Sequence, residues 1–218
     1  MTAAVGKRRS RTRRAVRLFI GVLVLVGLGA AWWSVHQAMP GWYARFSYPL
    51  RYEDTINREA KRHALDPALI AAVINVESKW VPDTVSSAGA VGLMQLLPNT
   101  AAFIARQPKR PSPPPDELTD PEINITYGSW YLRYLVTNHR DLPAALAAYN
   151  AGDQNVRIWE QHAKAEGRGF DAGRDIPFPE TREFVRRVLR DASVYRRAYS
   201  DELGWPVPGL ARISSTSG

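Results

Sequence analysis

The sequence predicts an all-α protein, a helical domain preceded by a single N-terminal transmembrane helix. Three observations carry that prediction. No stretch alternates apolar and polar residues over several positions, so no strand is expected. Asp66-Pro67, Asp120-Pro121 and Asp141-Leu142-Pro143 each set a capping carboxylate ahead of a first-turn proline, the favoured opening of a helix. Finally, an uncharged run, Leu18 to Trp33, follows a basic N-terminus.

The formal charge of +8 invites a nucleic-acid reading, but its distribution argues against one. Lys7, Arg8, Arg9, Arg11, Arg13, Arg14 and Arg17 precede every acidic residue. The remaining chain is nearly neutral, whereas a nucleic-acid-binding domain spreads a basic face over its fold. The apolar run, extended through Val35, approaches the roughly 20 residues needed to cross a bilayer core. Trp32 and Trp33 suit the membrane–water interface, and the arginines should stay cytoplasmic. A cleaved signal peptide is the alternative, with Gly29, Ala30 and Ala31 as small residues for cleavage, but the run exceeds the usual signal core of about 7–15 residues. With no cysteine, disulfides, thiolate chemistry and a lipoprotein anchor are excluded. The expected segments are a basic cytoplasmic stretch 1–17, an anchor 18–35, a linker 36–51, a helical domain 52–202 and a tail 203–218. This order implies an inner-membrane, single-pass protein with its domain outside the cytoplasm.

Within the domain, Ile56, Ala60 and Ala64 mark the inward stripe of an amphipathic helix that starts near Tyr52. Asp66-Pro67 opens the next helix, and Pro98 a short one through Ile104. Pro108 to Asp116, with five prolines in nine residues, must be loop. Asp120-Pro121 opens a long helix with Ile125, Trp130, Leu132 and Leu135 on a broad apolar face, ending near His139. That histidine reads as a C-terminal residue favoured by the helix dipole, and the four histidines show no metal-ligand spacing. Ala144 to Gly152 is an alanine-rich helix ending on a glycine cap, and 167–179 is loop. The last helix, Glu180 to Tyr199, turns Phe184, Val185, Val188, Leu189 and Val194 inward.

The organising stretch is Ala68 to Pro98. Leu69, Ile70, Val73, Ile74 and Val76 cover most of a helix circumference, so this helix should be buried. Glu77 continues the stripe of Ile70, Val73 and Ile74. A carboxylate there is a solvated cap, half of a buried ion pair, or an acid tuned by burial. Downstream come the Ser86 to Ala90 turn, Gly92-Leu93-Met94-Gln95 with Pro98, Ala148-Tyr149-Asn150-Ala151-Gly152, and Glu180-Thr181-Arg182. With Glu77-Ser78 at their head, these motifs resemble, in order, those of the soluble-lytic-transglycosylase type of peptidoglycan-cleaving enzyme, glycoside hydrolase family 23. The resemblance covers Tyr52 to Tyr199.

It implies a lysozyme-like (goose-type) helical fold, glycan strands of peptidoglycan as partner, and no cofactor or metal. Cleaving a glycosidic bond needs a proton on the leaving oxygen, and a carboxyl group can supply it at neutral pH only if burial raises its pKa. Glu77 fits that role. Most glycosidases place a second carboxylate about 5–5.5 or 6.5–9.5 Å away. Here only Asp83 stands nearby, and the resemblance gives it no role. It implies instead that the C6 hydroxyl of N-acetylmuramic acid attacks, yielding a 1,6-anhydro end. Ser86, Gln95, Tyr149, Asn150 and Glu180 are the implied substrate-binding residues. Each also has an ordinary reading: Ser86 in a turn, Gln95 as a cap, Tyr149 in the core, Glu180 at a helix dipole. Leu97, Phe184 and Asp153-Gln154-Asn155 depart from the common pattern. The remaining alternatives are a goose-lysozyme-like hydrolase and a catalytically idle wall-binding scaffold of an envelope complex.

Overall fold

Three helix starts are capped as the sequence requires. Asp66 accepts from the Ala68 amide at 2.9 Å, Asp120 from Ile123 at 2.9 Å and Asp141 from Ala144 at 2.8 Å. Each cap stabilises its helix by about 1 kcal/mol. The computed structural model describes residues 20–22, 24, 26–27, 41–108 and 117–204. Its helices are α1 (Gly41–Ser47), α2 (Glu53–His63), α3 (Pro67–Glu77), α4 (Pro98–Ala105), α5 (Pro121–Asn138), α6 (Leu142–Ala151), α7 (Asp153–Ala165), α8 (Ala172–Asp175) and α9 (Pro179–Ala198). Among the described residues there is no strand, only isolated bridges of Val91 with Val85 and with Leu96.

The chain divides into two units, Met1–Phe46 and Ser47–Gly218. In the first, Ile20, Gly21, Val22, Val24, Val26 and Gly27 are helical. The rest of the expected membrane anchor lies outside the described residues, and among those described no helix is long and apolar enough to cross a membrane. The expected proline-rich loop, apart from Pro108, and the expected tail beyond Gly204 also lie outside them. The stretch read as linker contains α1, and Tyr48, Leu50 and the following Tyr52 lie against the core of the second unit.

α3 is the centre of that second unit. Every residue from Pro67 to Asn75 is buried, because apolar side chains surround the helix. Ile70, Val73 and Ile74 are fully buried and contribute about 1.5–3 kcal/mol each. α9 runs along α3, α6 packs between α5 and α9, and α2 packs on α3 and α5. Asn75, a polar residue inside α3, donates to the buried Asp191 of α9 at 2.9 Å. A second, smaller cluster of Leu96, Ile104 and Tyr127 holds α4 on α5.

The sequence expectations need correction at Ala64, at 153–165, and at 167–179, where α8 (Ala172–Asp175) interrupts the expected loop; His139 ends α5 as expected and is also buried. Ala64, expected on the inward stripe of α2, is exposed and left-handed at φ 49°, where it ends the helix. Gly152, at φ 92°, closes α6 and opens α7 in one step, so residues 153–165, which no motif had assigned, are helical. The ring of His139 is fully buried, with Nε2 2.8 Å from Asp153 and Nδ1 3.2 Å from Glu160, tying the end of α5 to α7.

Gly128 of α5 faces Met94. A Cβ built there would lie 2.4 Å from the Met94 sulfur and 2.8 Å from its Cβ. Gly128→Ala is therefore expected to lower stability by about 1–3 kcal/mol through overpacking, despite alanine's better helix propensity. A thermal melt that matches the unsubstituted protein would show that Met94 yields freely.

Candidate active site

The last residue of α3 is Glu77, and the chemistry of its carboxyl follows from what surrounds it. Among the described residues it has no hydrogen-bond or ion-pair partner, and burial pushes it up to about 8. At neutral pH the group is therefore mostly protonated, able to donate. Tyr149 of α6 lies within electrostatic reach. Its phenol is held well above the ordinary value, by burial first and then by the Glu77 carboxylate and Tyr131. The Tyr149 hydroxyl donates to the Met94 carbonyl at 2.8 Å, and its ring stacks on Phe184 with centroids 6.4 Å apart.

Residues 84–96 form a tight loop whose polar groups bond mainly to one another. The Ser86 amide donates to the Ala90 carbonyl at 2.9 Å, while the Ser86 hydroxyl accepts from the Ala90 amide at 3.0 Å. The Gln95 amide nitrogen donates to the carbonyls of Thr84 at 3.0 Å and Gly92 at 2.8 Å. Gln95 itself sits at a left-handed φ of 47°. Asn124, fully buried in α5, locks the loop from beneath. Its oxygen accepts from the Met94 amide at 2.7 Å, and its nitrogen donates to Val91 at 2.9 Å and Leu118 at 2.7 Å. Gly92, at φ 82°, lies so close that an added Cβ would sit 2.1 Å from that nitrogen.

Asn150, at the exposed end of α6, accepts from the hydroxyl of the fully buried Thr181 at 2.7 Å. This fastens α6 to the first turn of α9, where Glu180 is exposed. Among the described residues no group of His, Asp and Glu is arranged to hold a metal ion.

A sequence profile of the transglycosylase SLT domain matches residues 54–169, more than half of the chain. The chain belongs to this family. It is 34% identical over 180 residues to the soluble lytic murein transglycosylase of Escherichia coli strain K12, covering 78% of this chain and 28% of that protein. Among solved structures, it resembles the 70 kDa soluble lytic transglycosylase Slt70 of Escherichia coli, with a TM-score of 0.64, 33% identity, and 74% of this chain against 26% of that one. An inactive glutamate-to-glutamine mutant of the Pseudomonas aeruginosa lytic transglycosylase Slt matches with a TM-score of 0.62 and 34% identity, covering 75% of this chain and 27% of that one. The chain thus spans about a quarter of the length of these relatives. The helical, lysozyme-like fold implied by the motifs is the one it has.

For this SLT domain, the structure brings Glu77 and Tyr149 together, with Gln95 in the loop whose Met94 carbonyl Tyr149 holds. Ser86 stands in the turn of the same loop. The Tyr149 hydroxyl donates to backbone rather than to Glu77, and Gln95 has only its side-chain oxygen unengaged. Asn150 and Glu180 lie at the α6–α9 junction, the first used as a tie. Sequence reasoning missed Asn124. The only trace was an amide beside Ile125 on the apolar face, with nothing to say which loop it would meet.

Two predictions follow from this geometry. Asn124→Ala leaves the Met94 amide and the Leu118 carbonyl unpaired, while the Val91 carbonyl keeps the Leu96 amide at 3.0 Å, so a loss of about 1–3 kcal/mol for each group left buried is expected. Equal denaturation midpoints for variant and parent would refute the lock. A carboxyl whose folded pKa lies above its unfolded value binds the proton more tightly when folded. Its contribution is complete below the unfolded pKa near 4.5 and disappears as pH rises through about 8. Glu77→Gln should therefore match the parent's Tm below about pH 4 and exceed it at pH 8–9, with a full penalty on the order of 5 kcal/mol. A Tm difference that does not change with pH would show that Glu77 titrates normally.

Proposed function

We propose that this protein is a membrane-anchored lytic transglycosylase, cleaving the β-1,4 bond between N-acetylmuramic acid and N-acetylglucosamine in peptidoglycan without water. The observation that carries this reading is the partnerless, half-buried carboxyl of Glu77 at the end of an apolar helix, within electrostatic reach of Tyr149. The glutamate-to-glutamine mutant of the Pseudomonas relative, named as inactive, supports an essential glutamate.

Glu77 donates its proton to the glycosidic oxygen as the C1–O bond breaks. The resulting carboxylate then takes the proton of the C6 hydroxyl as that oxygen bonds to C1, closing the anhydro ring. The acid is regenerated and no water enters. Proximity favours this attack, since nucleophile and cation belong to one sugar. The Ser86 hydroxyl, already accepting from Ala90, offers its hydrogen to the substrate. The Gln95 oxygen accepts from a sugar hydroxyl or acetamido N–H, and Asn150 with Thr181 holds the cleft wall. Glu180 orients substrate from the rim. The basic start and the apolar run 18–35 support a single-pass inner-membrane anchor with the domain in the periplasm, where envelope machinery is a candidate partner.

Incubation with purified sacculi should release muropeptides one water lighter than those of a hydrolytic muramidase and resistant to borohydride. Glu77→Gln should lose nearly all release, because an amide has no proton to give. Reducible muramic acid ends as the main product would assign the hydrolase instead. No release from the folded parent would assign the idle scaffold.

A further inference from the structure

The chain leaves Glu77 through an unusual turn. Ser78 caps α3, its amide donating to Ile74 at 3.0 Å and its hydroxyl to the same carbonyl at 3.2 Å. Lys79 and Trp80 then both adopt left-handed backbone, at φ 54° and 66°. Neither residue is favoured there, and each such conformation costs about 1–2 kcal/mol. Something must hold the turn against that cost.

The holder is Trp80 itself, 1% exposed. Its indole N–H donates to the Tyr195 hydroxyl at 2.9 Å, and that hydroxyl donates onward to the Pro49 carbonyl at 2.9 Å. Tyr195 is fully buried in α9, and its ring meets Trp80 at 6.0 Å and Tyr48 at 6.0 Å. One turn earlier on α9, Asp191 accepts from Asn75 of α3. α9 thus grips α3 immediately before and immediately after the acid. Pro49 lies in the segment by which the chain enters the domain. That segment and α9 both fall outside residues 54–169, the part the family profile describes.

We infer that Trp80 and Tyr195, anchored on the Pro49 carbonyl, are positioning residues that fix where the Glu77 carboxyl sits. This rests on the reading of Glu77 as the acid. A Trp without its hydrogen bond loses the tether that keeps the strained turn closed, and relaxation of Lys79 and Trp80 frays the last turn of α3. Water then reaches the carboxyl, which ionises more readily and meets the glycosidic oxygen less often. Packing alone would need the two rings, but not the hydroxyl and indole N–H between them.

The test uses the full-length chain with Trp80→Phe, Tyr195→Phe and, as control, Tyr199→Phe. Tyr199 donates to the Tyr48 carbonyl at 2.8 Å and stacks on Tyr195, so the control removes a hydroxyl from the same aromatic cluster while leaving the Trp80–Tyr195 hydrogen bond in place. Muropeptide release is measured alongside the titration of the Glu77 carboxyl by carbon NMR, which needs no turnover. Trp80→Phe and Tyr195→Phe should each lower kcat about tenfold with KM within twofold. Both should also move the Glu77 midpoint down by about one pH unit, with the double variant no worse than either alone. Tyr199→Phe should change neither. A Glu77 midpoint unmoved in folded Trp80→Phe and Tyr195→Phe would overturn the inference, as would an equal shift in Tyr199→Phe. If the parent titrates as described but releases nothing, the activity reading fails while the midpoint shifts still decide the positioning.

Discussion

A carboxyl group at the end of a helix that is apolar all round is the constraint on which this domain depends. Burial without a partner holds Glu77 near 8, and ionising it in place costs on the order of 5 kcal/mol. A cation beside it would remove that cost and lower the pKa by one to three units, abolishing the acid at neutral pH. The surroundings therefore have to be apolar or neutral, and they have to be rigid. Rigidity is supplied by groups that never touch the carboxyl: the Asp66 cap, the Asn75–Asp191 bond and the Trp80–Tyr195 bond.

The wall facing α3 obeys a different rule. The loop from Thr84 to Leu96 buries Leu93, Met94 and Leu96 in the core, and hydrogen bonds fix the rest of it. Asn124 satisfies three of its backbone and neighbouring groups at once, and Gln95 closes it from above. Glycine is required at 92 because the Asn124 amide occupies the space of a side chain, and at 128 because Met94 does. One wall of the candidate site is thus a buried helix and the other a hydrogen-bonded loop clamped onto α5.

How much of this was legible in the sequence follows from the range of each interaction. The Asp-Pro starts are local, so α3, α5 and α6 were visible with their caps. The all-apolar circumference of α3 announced its burial. Ala64 was misplaced because a period of four cannot distinguish the last inward residue from a left-handed cap. α7 was missed because Gly152 reads as a stop, although it also starts the next helix. Asn124, Tyr195 and the Pro49 carbonyl act across tens of residues of sequence, and no local pattern records such pairings. Residue types therefore singled out Glu77 as a candidate, while the groups that hold its helix emerged only in three dimensions.

The motif residues gain a sharper meaning from this division. Tyr149 uses its hydrogen on Met94, Gln95 both of its amide hydrogens on backbone, and Asn150 its oxygen on Thr181. What these residues leave toward the cleft is neutral: the Gln95 oxygen and the lone pairs of Tyr149 accept, and the Asn150 amide and Ser86 hydroxyl donate. A sugar chain carries hydroxyl and acetamido groups that both donate and accept, so neutral polar groups of both kinds bind it well. Neutral groups also do what cations cannot, since they bring no positive charge near Glu77 and leave its proton in place. The same use of neutral groups in place of cations therefore serves both recognition and acidity. It explains why a motif that looks like a list of ligand contacts is built mostly of groups engaged in holding one another.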